Sequence, residues 1–463
     1  MHSGEAIVDD DKAFRLYAGA GALLVALFRF VTIPRTFWEF DELLFAWGIL
    51  DFDPRNHHPH PPGYPLVIGL GKAVNLVTGD PFNALVFLSF LSSVVGFVAL
   101  AVCFRNITGE PRSAVLGSLL FALSPAMLVN GSLPMSDPPA LLFLILAFML
   151  ASSFPEGATN RAALLFGVFC AASIGCRPQY AVSILPMFIF VIIRIGDWAR
   201  ARIALVSFTF TCLAWLSPLA GALGGVRELI NYETRQAAYV AGHDASISRG
   251  ARSAGDIVLR FVAHPWGPKW LALPVLFLAV IGAVRLARGK FVKAIPILIV
   301  MLVHMAFCFV SMDPADGVRY ALPALIGVAL MVSFSFSSLA EATQFEAAPA
   351  AFLALFVVGG FLYTREIILT RHRVSSPPLQ AVAFARRNLP QRTILLYETA
   401  LRPHAELLLG RFHPLPIDRG LQLYANRPDV PLYIFADGGS TASDVIRFSW
   451  PESDAYGKLT RDH

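Results

Sequence analysis

The feature that most constrains this chain is its succession of apolar blocks, each of roughly 17 to 22 residues, long enough to cross a hydrocarbon core about 30 Å thick as a helix. No water in that core satisfies free N–H and C=O groups, so helices are the expected spanning form. The charge content agrees. Of 463 residues, 56% are hydrophobic and 15% charged, whereas an ordinary soluble chain carries about 25% charged residues. The expected fold is an all-α polytopic membrane protein with about 11 transmembrane helices.

The apolar blocks place these helices near 14–33, 83–104, 113–130, 137–153, 162–176, 179–194, 203–221, 269–285, 294–311, 319–337 and 350–369. The net charge of +5 could suggest nucleic acid, but the bases fall mainly in short loops, where topology explains them and no nucleic-acid partner is expected. "FRNITGEPR", "RIGDWARAR" and "RLARGKFVK" all fall on one side, which the positive-inside rule makes cytoplasmic. The N-terminus is then cytoplasmic. The first residues lack the basic start and cleavage site of a signal peptide, so the first block is read as an anchor. The linker "SSLAEATQFEAA" should share the cytoplasmic side yet carries two acids and no base, leaving the last two helices the weakest part of this topology.

Residues 1–370 are expected to form the membrane domain, with an external loop at 34–82. Within that loop, residues 63–77 are apolar but short and contain Lys72, which suits an interfacial or re-entrant helix. The segment 222–268 is read as a long external loop. Residues 371–463 change character: "PPLQAVAFARRNLP" reads as a helix, "TILLYE" as a strand, "ALRPHAELLLG" as a helix and "PLYIFAD" as a strand, giving a small external α/β domain. Cys103, Cys170, Cys176, Cys212 and Cys308 lie in or beside apolar blocks without ligand spacing, and read as small core residues.

Asp41 and Glu42, in "FWEFDELLFA", stand side by side near the expected outer membrane surface. Partial desolvation there would raise a carboxyl toward neutral pH and suit it to accept a proton. Adjacent helical residues point apart, so one would do chemistry and the other orient or bind; the alternative is a solvated acidic step. In "NHHPHPPGYP" the prolines favour an extended backbone, so His58 and His60 would share a side and could hold an anion or a divalent metal ion with Asp41 or Glu42. A purely structural proline turn is the third reading. Asp137, in "PMSDPPALLF", either caps a helix or faces a central cavity. Arg177 in "CRPQY", and Arg319 with Tyr320 in "DGVRYALP", either reach lipid headgroups or hold a phosphate at the surface. No P-loop, dinucleotide fingerprint, nucleophile elbow or HExxH pattern is present.

Taken in order, "FDELLFA", "HPHPPGYPL", "SDPPALLF" and "RYALP" resemble the GT-C superfamily of polyprenyl-phosphate-sugar-dependent glycosyltransferases. The resemblance is nearest to the bacterial branch of aminoarabinose and galacturonosyl transferases and the related protein O-mannosyltransferases, over about residues 14–335. It implies a bacterial inner-membrane enzyme that moves a sugar from a polyprenyl-phosphate carrier to a glycolipid, polysaccharide or protein acceptor on the outer face, with inversion. Membrane lipids would surround it. The resemblance further implies Asp41 as catalytic base with Glu42 beside it, Asp137 near the acceptor cavity, and His60, Arg177, Arg319 and Tyr320 at the donor phosphate. The aminoarabinose branch commonly has Lys before the Pro-Pro pair, where this chain has His60. The competing class is a polytopic transporter or lipid flippase, which would also place charges in a cavity but near midplane.

Overall fold

A computed structural model describes residues 2–244, 253–289, 291–425, 430–436, 446 and 448. Lys290, the middle of the 222–268 segment and most of the tail beyond 436 lie outside the described residues. The helices run in order α1 His2–Val31, α2 Phe40–Leu50, α3 Pro65–Thr78, α4 Pro81–Thr108, α5 Pro111–Ala122, α6 Pro125–Asn130, α7 Asp137–Ser153, α8 Asn160–Cys176, α9 Ala181–Arg194 and α10 Trp198–Leu223. They continue with α11 Val226–Tyr239, α12 Ala254–Val258, α13 Lys269–Arg288, α14 Phe291–Ser311, α15 Gly317–Tyr320, α16 Leu322–Thr343, α17 Ala348–Arg373, α18 Pro377–Asn388, α19 Arg402–Leu408 and α20 Ile417–Ala425.

All eleven expected spans are helical. Among the described residues, eight helices are long and apolar enough to cross a membrane, while α8 and α9 are shorter apolar helices. The chain is thus an integral membrane protein with an all-α body. Local chemistry sets many boundaries. Proline occupies the first turn of α3, α4, α5, α6, α7 and α17, where its missing N–H costs nothing. Asp80 caps α4 through Asn83 N at 2.8 Å, and Asp197 caps α10 through Ala199 N at 2.8 Å.

Two expectations need correction. The span placed at 113–130 is two helices, α5 and α6, parted at Leu123–Ser124. The break frees backbone carbonyls in a buried place, and Arg29 of α1 answers it: its guanidinium donates to the carbonyls of Ala122 and Met127, the latter at 2.5 Å. The segment read as an external loop at 222–268 instead contains α11 and α12.

Ion pairs identify the two ends of the bundle. At one end Arg105 meets Asp11, Lys293 meets Glu156, and Arg285 meets Glu341 at 2.9 Å. The acidic linker after α16 therefore lies beside the basic α13–α14 turn, and its missing bases are supplied from there. The opposite end carries α2, α3, the turns at 131–136 and 177–180, α11, α15 and the tail. Between the ends, helices approach through small residues and hydroxyl-to-carbonyl bonds, such as Ser173 Oγ to Ala140 O at 2.8 Å and Ser333 Oγ to Ser113 O at 2.7 Å.

In the tail, strands β1 Ile394–Tyr397, β2 Leu415–Pro416 and β3 Leu432–Phe435 form a parallel sheet in the order β2-β1-β3. The four tail segments expected from sequence are present; β2 and α20 were not anticipated. Val382, Ala385, Leu395, Leu409 and Phe412 make a small core separate from that of the bundle. The tail is fastened by Arg371 to Glu39 at 2.9 Å, by Arg35 Nη1 to Arg373 O at 2.8 Å, and by Arg402 over the Trp47 ring at 5.8 Å.

The closest helix contact gives a test. A Cβ at Gly282 of α13 would lie 1.6 Å from the Met331 carbonyl oxygen of α16, backbone that no rotamer change can move. Gly282→Ala should therefore lower the thermal unfolding midpoint in detergent, by an amount corresponding to about 1–3 kcal/mol of overpacking. Gly69→Ala, where nothing lies within 4 Å, should be near neutral.

Candidate active site

The acidic pair splits as the 3.6-residue helical turn requires. Glu42 turns back beneath the start of α2, where Oε2 accepts Trp38 N at 2.6 Å and Glu39 N at 3.2 Å, closing a capping box with Glu39. It is fully buried and does not line the cavity. Burial pushes its carboxyl up to about 8, with the neighbouring Glu39 adding to the shift. Glu42 therefore serves the start of α2 and does not reach the cavity. Asp41 faces a cavity of about 1580 Å³ at this end of the bundle.

The proline-rich segment is folded rather than extended. Asp53 and His58 exchange backbone hydrogen bonds, each at 2.9 Å, and Gly63 N returns to His60 O at 3.0 Å. His58 consequently stacks on Trp47 with ring centroids 3.6 Å apart and turns Nδ1 toward Asp51 at 3.4 Å. His60 turns the other way, placing Nδ1 3.7 Å from Asp41 Oδ1, with Phe45 and Tyr64 at its ring edges. The two histidines therefore do not converge, which corrects the expectation of a shared face. Among the described residues no group of three His, Cys, Asp or Glu side chains could hold a metal ion. Burial lowers the His60 imidazole below its ordinary value, with Asp41 opposing, so His60 is a neutral ring at neutral pH.

Asp137 is the first residue of α7, and its side chain does not cap the helix. Its Oδ2 instead accepts Arg177 Nη1 at 2.9 Å, and the same nitrogen donates to Ser136 Oγ at 2.9 Å. Both side chains are almost wholly buried. Burial works against the Arg177 charge, but Asp137 together with Tyr64 and Tyr180 outweighs it, and the guanidinium stays cationic. Asp137 is not itself part of the cavity wall; it acts through Arg177, which is. Arg177 lies over the Tyr320 ring at 5.6 Å, and Arg319 lies over the same ring at 5.1 Å and pairs with Asp316 at 3.1 Å. Asp41, His60, Arg177, Arg319 and Tyr320, drawn from four distant stretches of sequence, thus line one cavity.

Tyr64, Gln179 and His304 are among the contributors that escaped the sequence reading. Tyr64 and Gln179 also line the cavity, with Gln179 Nε2 3.4 Å from the Tyr64 hydroxyl. His304, buried in α14, joins Ser183 Oγ at 3.2 Å to Tyr320 O at 3.0 Å and so fixes the α15 turn. A lone histidine in an apolar span was the available signal, since intramembrane ionisable groups are uncommon without a partner.

Comparison with known proteins bears on the fold. A family model described as dolichyl-phosphate-mannose-protein mannosyltransferase matches residues 59–221, a stretch containing His60, Tyr64, Asp137 and Arg177. ArnT from Cupriavidus metallidurans bound to undecaprenyl phosphate superposes with a TM-score of 0.62 at 13% identity, over 91% of this chain and 90% of that one. The chain has the GT-C fold. The apo form of the same ArnT gives a TM-score of 0.58 at 13% identity, over 91% and 89% of the two chains. The Archaeoglobus fulgidus oligosaccharyltransferase tethered with an acceptor peptide containing the NVT sequon gives 0.52 at 12% identity. The comparison takes in 87% of this chain, which spans only 64% of that protein's length. A search of curated protein sequences finds no match.

Within this GT-C fold, two measurements test the buried charges. Asp137→Ala leaves the Arg177 guanidinium buried without its counter-ion and should cost about 3–5 kcal/mol, whereas Asp137→Leu with Arg177→Met should recover most of that loss. Denaturant unfolding of the three proteins checks this. Glu42 holds its proton more tightly folded than unfolded, so its contribution is full below about pH 4.5 and declines as pH rises toward about 8. Glu42→Gln should flatten that decline in a pH series of unfolding midpoints.

Proposed function

We propose that the protein is an integral membrane glycosyltransferase that moves a sugar from a polyprenyl-phosphate carrier to an acceptor on the outer face of a membrane, with inversion at the anomeric carbon. The observation that carries this reading is the single cavity where Asp41 and His60 stand with Arg177, Arg319 and Tyr320, at one end of a GT-C fold. Supporting it are the mannosyltransferase family model and the likeness to an ArnT bound to undecaprenyl phosphate.

The chemistry follows from charge. A lipid-linked phosphate is already a leaving group, provided cations accept its charge as the glycosidic bond breaks. Arg177 and Arg319 are those cations. A favourable pair at about 4 Å contributes on the order of 4 kcal/mol at an effective dielectric near 20. Tyr320, stacked under both guanidiniums, fixes their planes, and neutral His60 supplies an N–H rather than a charge. The Asp41 carboxylate accepts the acceptor hydroxyl's proton as that oxygen attacks the anomeric carbon.

The side of the membrane is inferred from the bases at the opposite end: the α4–α5, α9–α10 and α13–α14 turns are basic, which makes that end cytoplasmic and the cavity and tail external. In a bacterium the membrane would be the inner one. A transporter or flippase would not consume the donor. Purified protein supplied with synthetic polyprenyl-phosphate sugars should release polyprenyl phosphate, detected by mass spectrometry. Asp41→Asn should lower turnover about 10²–10⁴-fold with folding intact. Unchanged turnover would remove Asp41 from the base role.

A further inference from the structure

The cavity has a second wall, and its chemistry is unusual for a helix lying against a bundle. In α11 the half-buried positions are Leu229, Tyr232, Glu233 and Gln236, followed at Val240 by the next residue inward. That is the i, i+3, i+4, i+7, i+11 stripe of an amphipathic helix, which ordinarily carries aliphatic side chains. Here its centre holds a phenol, a carboxyl and an amide, and all three line the cavity.

The protein holds the phenol and leaves the carboxyl and the amide free for a ligand. The Tyr232 hydroxyl donates to Pro54 O at 3.1 Å, tying α11 to the turn that leads to His60. Gly224 and Gly225, both at positive φ, make the sharp corner between α10 and α11, and a Cβ at Gly224 would lie 2.4 Å from Arg55 Nη2. Glu233 and Gln236 have no hydrogen-bond partner among the described residues. Half-buried polar groups without protein partners suit a polar ligand. Across the cavity, Gln179 Oε1 is likewise buried without a partner.

We propose that the Glu233–Gln236 face of α11 is the acceptor subsite, and that the acceptor it receives is a saccharide chain rather than a peptide. This rests on the transferase reading and specifies its acceptor. A carboxyl and an amide three residues apart on a helix have Cβ atoms about 5–6 Å apart, close to the length of one pyranose ring, so each can meet hydroxyls of successive sugars. Both groups donate and accept, since burial pushes the Glu233 carboxyl up to about 7. Peptide recognition would call for an open strand edge, an apolar helix groove or an aromatic polyproline groove. Among the described residues no strand borders the cavity, and the α11 stripe, though it carries Tyr232, has a carboxyl and an amide at its centre rather than an apolar groove.

The test separates acceptor binding from turnover. The full chain in lipid nanodiscs would be mixed with neutral and acidic tetrasaccharides, with binding read by saturation-transfer NMR and a Ser/Thr-rich peptide as competitor. The variant is Glu233→Leu with Gln236→Leu, which gives the stripe ordinary aliphatic content; its unfolding midpoint confirms folding. Saccharide signals that fall at least fivefold in the variant, and that the peptide does not displace, support the subsite. Equal signals in both proteins, no saccharide binding to the native chain, or displacement by the peptide would overturn it. Donor consumption is measured alongside: saccharide binding at α11 without donor release sinks the transferase reading alone, and donor release without saccharide binding sinks the subsite alone.

Discussion

The arrangement depends on one buried ion pair, Arg177 with Asp137. Two charges taken out of water attract strongly only if their geometry is held, and each becomes a liability if its partner leaves. The pair joins the start of α7 to the end of α8, two helices that meet the cavity floor from different loops. Arg177 donates from one edge of its guanidinium to Asp137 and Ser136 and lies over the Tyr320 ring. Arg319 lies over the same ring and is held besides by Asp316, so the two cations share one aromatic platform.

A second constraint comes from the membrane itself. Where α5 gives way to α6, the released carbonyls meet no solvent, and a charged side chain from α1 completes them. The same need explains the surrounding hydroxyls, with Thr32 and Ser132 in contact at 2.7 Å and Ser93 Oγ donating to Gly131 O at 2.7 Å. The residues just after this break, from 131 to 136, form the turn that leads into Asp137. A kinked, internally satisfied segment in the apolar body thus delivers the carboxylate at its end.

Much of this was legible from residue order. Apolar length marked each helical stretch of the body, although the block at 113–130 is two helices, because the hydrocarbon core imposes a fixed thickness on helices of fixed rise. Order along the chain also singled out the cavity-lining Asp41, His60, Arg177, Arg319 and Tyr320. What failed was local direction. The prolines around His58 and His60 read as an extended segment, yet paired backbone bonds between Asp53 and His58 send the two rings to opposite partners. Side-chain partnership across long separations was equally hidden: nothing near Asp137 announces Arg177, and nothing in α14 announces that His304 steadies α15. Arg29 read as part of an apolar span, since a break between helices leaves little trace beyond Ser124 and Pro125.

Trp47 has a further consequence. Its ring carries His58 in a stack and also receives Arg402 from the tail. His60 follows His58 by two residues, in a loop closed by the Asp53–His58 and Gly63–His60 backbone bonds. Through one indole the tail is thus in contact with the loop that carries the imidazole beside Asp41.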